Sequence, residues 1–153
     1  QTDPFSHPLL QHLGPEPFAA DLEADYLYIN SRKRKLAIKN FIMDQKVLVG
    51  VGNIYASEAL FAAGIDPRRE ALSLNPQEAQ SLLRHIQAIL AEAISAGGTT
   101  LKDFRQTDGK PGYFKQQLQV YGRKGEDCLS CGEPIQQIVQ GQRSTYYCRR
   151  CQY

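Results

Sequence analysis

Two segments with legible helix ends and one C-terminal array of four cysteines predict a mainly α fold carrying a small metal-held β-hairpin. The strongest helix signal is Asn75-Pro76-Gln77-Glu78, with Asn as N-cap, Pro at the first helical position and Glu at the third. Behind it Ala79, Leu82, Leu83, Ile86, Ile89, Leu90, Ala93 and Ile94 recur at helical spacing, and Gly97-Gly98 is the expected stop. A second helix is expected from about Asn53 to Ala63, closed by Gly64. Residues 34 to 43 place Leu36, Ala37, Phe41 and Ile42 among basic residues, which predicts an amphipathic helix. A short first helix is expected near Phe18 to Leu22, after a linker holding Pro4, Pro8, Pro15 and Pro17. From Gly97 to Gly112 the composition reads as a loop. Short β-type runs are expected at Leu118–Tyr121, Pro134–Val139 and Ser144–Cys148.

The cysteines fall in one pattern: Cys128 and Cys131, sixteen residues, then Cys148 and Cys151. Two C-x-x-C pairs at this separation are a zinc signature, because each two-residue gap lets both thiolates reach one tetrahedral ion at roughly 2.3 Å. Gly141-Gln142 lies between two β-type runs, where a hairpin turn would bring the second pair back to the first. Four thiolates leave no open coordination position, so one structural Zn²⁺ is expected. A disulfide pair or a redox C-x-x-C is the competing use of the same residues. A ribbon this small has little core, so its folding should be coupled to metal binding.

Bulk properties bound the function less. The 153 residues carry a formal charge of only +2, yet Arg32, Lys33, Arg34 and Lys35 are consecutive, and Arg123, Lys124, Arg143, Arg149 and Arg150 crowd the C-terminal end. This asymmetry suits either a polyanion-binding face or ordinary solvated charge. No apolar run approaches the ~20 residues that span a bilayer, and the expected location is the cytoplasm. The only methionine is Met43, so Gln1 reads as an internal start and the chain as a fragment of a longer protein.

Gly50-Val51-Gly52-Asn53-Ile54-Tyr55 reads as a glycine-flanked helix start with Asn53 as its cap, where free N–H groups and the helix dipole favour an anion. Lys39 and Lys46 stand nearby in sequence, and Arg143 sits at or just past the expected hairpin turn, flanked by Ser144 and Thr145. A guanidinium there suits a phosphate. A plain capped helix and a solvated arginine are the alternatives.

Several of these motifs, in order, resemble the formamidopyrimidine-DNA glycosylases. Asp44-Gln45-Lys46 through Gly50 to Glu58 resembles their helix–two-turns–helix motif. Leu13-Gly14-Pro15-Glu16-Pro17, Gly97-Gly98-Thr99-Thr100-Leu101-Lys102-Asp103-Phe104, Val120-Tyr121-Gly122-Arg123 and the final Cys148-to-Gln152 run fit the same family. The resemblance implies a linker over 1–17, a helical domain over 18–114 with a lesion-capping loop at 97–114, and a four-cysteine zinc finger over 115–153. It implies excision of 8-oxoguanine and formamidopyrimidines, followed by β,δ-elimination at the abasic site. The partner implied is double-stranded DNA bearing such lesions, gripped by a monomer whose N-terminal catalytic domain packs against this part. Expected DNA contacts are Lys39, Gly52, Asn53, Tyr55 and Arg143, with Thr99 to Phe104 closing over the flipped base.

The family's nucleophile is an N-terminal proline amine followed by a glutamate, whereas this chain opens Gln1-Thr2-Asp3. No catalytic residue is therefore expected within it, and the chain alone is expected to be inactive. Glu16 and Glu58 show no partner in the sequence, and His7, His12 and His85 have no ligand spacing. The nearest alternatives are the same portion of an endonuclease VIII-type glycosylase for oxidised pyrimidines, whose members generally lack so long a loop, and a zinc-ribbon protein-interaction module.

Overall fold

A computed structural model describes residues 14–19, 22–95 and 118–153. Its described helices are α1 (Tyr26–Ser31), α2 (Ile38–Met43), α3 (Asn53–Ala63) and α4 (Pro76–Ser95), and its strands are β1 (Gln136–Gln140) and β2 (Arg143–Tyr147). The apolar stripe of α4 buries Ala79, Leu82 and Ile86 against Leu27, Phe41, Ile42 and Leu60. Five consecutive residues of α3, Ala56 to Leu60, are buried, so that helix is enclosed by the others and by the finger.

The start of α4 and the end of α3 follow their sequence signals. Asn75 Oδ1 accepts the N–H of Glu78 at 2.7 Å and the Asn75 N–H donates to Glu78 Oε1 at 3.0 Å, a reciprocal capping box. Arg69 clamps the same carboxylate with two bonds of 2.8 Å. Helix α3 stops at Gly64 in the left-handed conformation, φ 74°.

Three expectations need correction. The described residues at the anticipated first helix, Phe18, Ala19 and Leu22, lie in turns and irregular backbone, and the first described helix begins at Tyr26. That six-residue helix, YLYINS, is too short to show a period in sequence. Helix α2 begins at Ile38 and not at residue 34, because the preceding backbone is paired elsewhere: Leu72 N–H donates to Arg34 O, Ala71 N–H to Leu36 O, and Ala37 bridges Glu70. Leu118–Tyr121 forms no strand; its amides turn inward onto a buried carboxylate. The stop at Gly97-Gly98 and the loop beyond it lie outside the described residues.

The hairpin follows the expected pattern, displaced by a residue or two. Gln140 pairs with Arg143 across a two-residue turn, and Gly141 (φ 56°) and Gln142 (φ 70°) both take the left-handed backbone of a type I′ turn.

Candidate metal centre and nucleic-acid interface

The four cysteine Sγ atoms lie within 4.8 Å of one another, and none is in a disulfide. Cys131 and Cys148 are 3.4 Å apart and Cys128 and Cys151 3.8 Å. Four sulfurs around a tetrahedral zinc stand about 3.8 Å apart, given Zn–S bonds of about 2.3 Å. The all-thiolate donor set fits one structural zinc ion. Amides of Ser130 and Cys151 point at Cys128 Sγ and Cys148 Sγ, each at 3.4 Å, and would stabilise charge on those sulfurs.

Without a cation the four sulfurs cannot all ionise. Burial raises the Cys128 thiol, but amide bonds from Cys131 and Ser130 outweigh it and bring the pKa to about 7. Burial and then the neighbouring thiols push Cys151 up to about 12, and burial raises Cys148. Metal binding must displace these protons.

The finger is fastened to the helices at several points, and this fastening makes the second site. The Glu58 carboxylate, 5% exposed on α3, accepts three consecutive backbone N–H groups: Gln119 at 2.8 Å, Val120 and Tyr121 at 2.9 Å. Burial dominates its titration and raises its pKa, against the lowering effect of those bonds and of Arg123. The sequence shows no partner for Glu58 because its acceptor role involves backbone about sixty residues away. Near the C-terminal end, the buried Gln152 side chain accepts the Cys148 N–H at 2.7 Å and donates to Ile65 O at 2.9 Å. Tyr153 pairs in backbone with Gly64 and Asp66.

These ties bring β2 against the start of α3. Asn53 Nδ2 donates to Ser144 O at 2.9 Å and to the Tyr121 hydroxyl at 3.3 Å, while its Oδ1 accepts from Lys39 Nζ. Asn53 therefore does not cap α3, contrary to the sequence expectation. The N-cap is Gly52, which makes no side-chain cap bond, and the Asn53 carboxamide is held outward by three partners on other segments. A Cβ at Gly52 would meet nothing within 4 Å, so the surface over the helix start is open.

Lys39, Gly52, Asn53 and Arg143 line one groove of about 520 Å³, whose walls also include Asn40, Asp44, Gln140 and Gly141. Arg143 is exposed, whereas Lys39 is 1% exposed. Burial, and secondarily the Arg143 charge, lower the Lys39 pKa to about 8. Among the described residues the one carboxylate in this wall, Asp44, is bonded to Arg34 at 2.9 Å and to the Lys46 amide at 2.9 Å, so much of its charge is answered inside the protein. The groove thus presents two cationic groups and a helix start at one place, an arrangement that can hold an anion.

Other expected site residues fall elsewhere. Tyr55 is half-buried and packs against the main core and the Ala93–Leu118 cluster, away from the groove lining. Of the basic run, Arg32 stacks on Tyr28 and caps the carbonyls of Leu72 and Leu74, and Arg34 serves Asp44. His85 bonds within its own helix to Ser81. Thr99, Thr100, Leu101, Lys102, Asp103 and Phe104 lie outside the described residues, as do His7 and His12.

Fold and site together define a helix–two-turns–helix domain followed by a zinc finger. The model of the formamidopyrimidine-DNA glycosylase H2TH domain matches residues 13–105, and that of the zinc finger found in FPG and IleRS matches 125–152. A formamidopyrimidine-DNA glycosylase of Pectobacterium atrosepticum is 62% identical over 144 residues, 94% of this chain and 54% of its own length. The MutM (Fpg) protein of Thermus thermophilus superposes with a TM-score of 0.86 at 42% identity, covering 99% of this chain and 58% of that one. A MutM in complex with DNA containing carbocyclic 8-oxo-G superposes at 0.81 with 36% identity, covering 95% and 52%. The chain belongs to the formamidopyrimidine-DNA glycosylase (Fpg/MutM) family. It spans about half the length of the curated relatives it matches.

Proposed function

We propose that this chain is the DNA-gripping portion of a base-excision glycosylase that removes 8-oxoguanine and formamidopyrimidines and then cuts the abasic strand by β,δ-elimination. The observation that carries the reading is the convergence of Lys39, the α3 start and Arg143 on one groove. A phosphate there would meet the guanidinium, the ammonium and the helix-start amides together, fixing the duplex without reading its sequence. The relative's name and the 8-oxo-G complex support oxidised purines as substrate class. Residues 99–104 would read the flipped base, as enzymes acting on a base must take it out of the stack.

In this reading the zinc finger is structural. Its ion would be held by Cys128, Cys131, Cys148 and Cys151 and would supply no reaction chemistry, only the rigidity that presents Arg143. The 153-residue polypeptide is expected to bind DNA without cleaving it. It would act as a monomer on chromosomal DNA in the bacterial cytoplasm, packed against an N-terminal catalytic domain.

The test is binding of the chain to a duplex containing an abasic-site analogue over a range of salt. Phosphate-based binding must weaken steeply as salt rises, because each neutralised phosphate releases counterions. Salt-independent association would sink the reading in favour of a protein-interaction module. Borohydride trapping on 8-oxoguanine DNA checks inactivity, and a covalent adduct with this chain would overturn it. Preference for 8-oxoguanine over thymine glycol, measured after joining the chain to the N-terminal half of a full-length relative, separates purine from pyrimidine excision.

A further inference from the structure

We infer that Asn40 is a further DNA-binding residue, donating from its carboxamide to the phosphodiester next to the one held by Arg143. The inference rests on the proposal that DNA occupies this groove. Asn40 follows Lys39 on α2 and lines the same wall. Its Oδ1 is buried with no hydrogen-bond partner, and no bond from its Nδ2 is formed among the described residues. With Oδ1 covered, the polar atom left for a ligand is the Nδ2 donor. A donor beside two cations suits an anionic oxygen acceptor.

The position of this amide depends on the finger. Asn40 Nδ2 lies 2.6 Å from where a Cβ on Gly141 would stand, so a side chain at that turn position would push the carboxamide aside. Gly141 belongs to the same groove wall and is two residues from Arg143. The carboxamide thus lies at the seam between helix α2 and the turn that presents the guanidinium. Neighbouring Gln140 is anchored differently: its Nε2 donates to Pro67 O at 3.1 Å, leaving only a covered oxygen unpaired. Asn40 is therefore the better donor of the two.

A neutral donor and a cation leave different signatures. Losing Asn40 removes a hydrogen bond but releases no counterion, so affinity should fall at constant salt slope. The experiment measures fluorescence anisotropy with an abasic-analogue duplex at several salt concentrations, for the unaltered chain, Asn40→Ala, Gly141→Ala, the double variant and Arg143→Ala. Zinc content and melting temperature confirm folding, and Asn40→Ser replaces Asn40→Ala should the latter fail to fold. Expected are an affinity loss of about 3- to 10-fold for Asn40→Ala with the slope unchanged, and a double variant no weaker than Gly141→Ala alone. Unaltered affinity in Asn40→Ala overturns the inference, as does a reduced slope, which would mean that the substitution acts by displacing the cations. If Arg143→Ala keeps the full slope, the groove itself is not the phosphate site, and the failure lies with the proposed function.

Discussion

Lys39 on helix α2 donates to Asn53 Oδ1 at the start of α3, and the amide nitrogen of the same Asn53 reaches the carbonyl of Ser144 in the zinc-finger hairpin. One carboxamide thus joins the helical domain to the strand that carries Arg143. With Tyr121 as a third partner, both N–H donors of the carboxamide are engaged by the protein in this structure. A bond from the Asn53 carboxamide to a phosphate requires exchange of one of these donor contacts.

Arg143→Ala is expected to lower DNA affinity for all sequences alike. A charge-assisted phosphate bond contributes about 1.5–3 kcal/mol, which is roughly 10- to 100-fold in affinity. The slope of log K against log salt should flatten by about 0.9 for the one lost contact. Salt titration of both proteins measures this, and parallel lines would show that Arg143 meets no phosphate.

DNA affinity should fall as pH rises through about 8, the pKa to which burial and Arg143 lower Lys39. The ammonium favours an anion and the neutral amine does not. In the DNA-free protein the sign reverses. Between about 8 and the ordinary 10.5 the unfolded chain binds the proton and the folded chain does not, so Lys39's contribution to stability grows with pH in that window. Lys39→Arg, which stays charged, should remove the pH dependence of binding; a fall that persists in that variant would assign it to another group.

Glu58→Ala should destabilise the chain by about 3 kcal/mol, because three buried or half-buried N–H groups of residues 119–121 lose their acceptor. Zinc should remain bound, since the cysteines do not contact this carboxylate. Thermal melting with a parallel zinc assay tests both halves. Loss of zinc together with stability would mean that the finger does not hold its metal once detached from α3.

Zinc binding near pH 7.5 should release at least two protons, with Cys151 and Cys148, whose pKa values are raised, among the sources. Zinc affinity should weaken on acidification for the same reason. Calorimetry in buffers of different ionisation enthalpy counts the protons, and zero release would contradict the picture of a partly protonated cluster. Chelation should disorder the hairpin and weaken DNA binding together, because Arg143 is placed by that hairpin.

Much of this molecule is local, and what is local was legible in sequence. The Asn75–Glu78 capping box, the glycine end of α3, the cysteine spacing and the Gly141-Gln142 turn each depend on a few neighbouring residues whose chemistry allows one backbone geometry. The family resemblance added the order of these parts. Tertiary structure alone decided what contacts distant in sequence decide. It paired 34–37 with 69–72 and so delayed the start of α2, turned residues 119–121 onto Glu58, and removed Asn53 from its expected cap to bind three separate segments. Periodicity records which face of an element is apolar; it carries no record of a buried carboxylate meeting amides sixty residues later. The groove shared by Lys39 and Arg143 exists because such long-range bonds fix the finger against the helices.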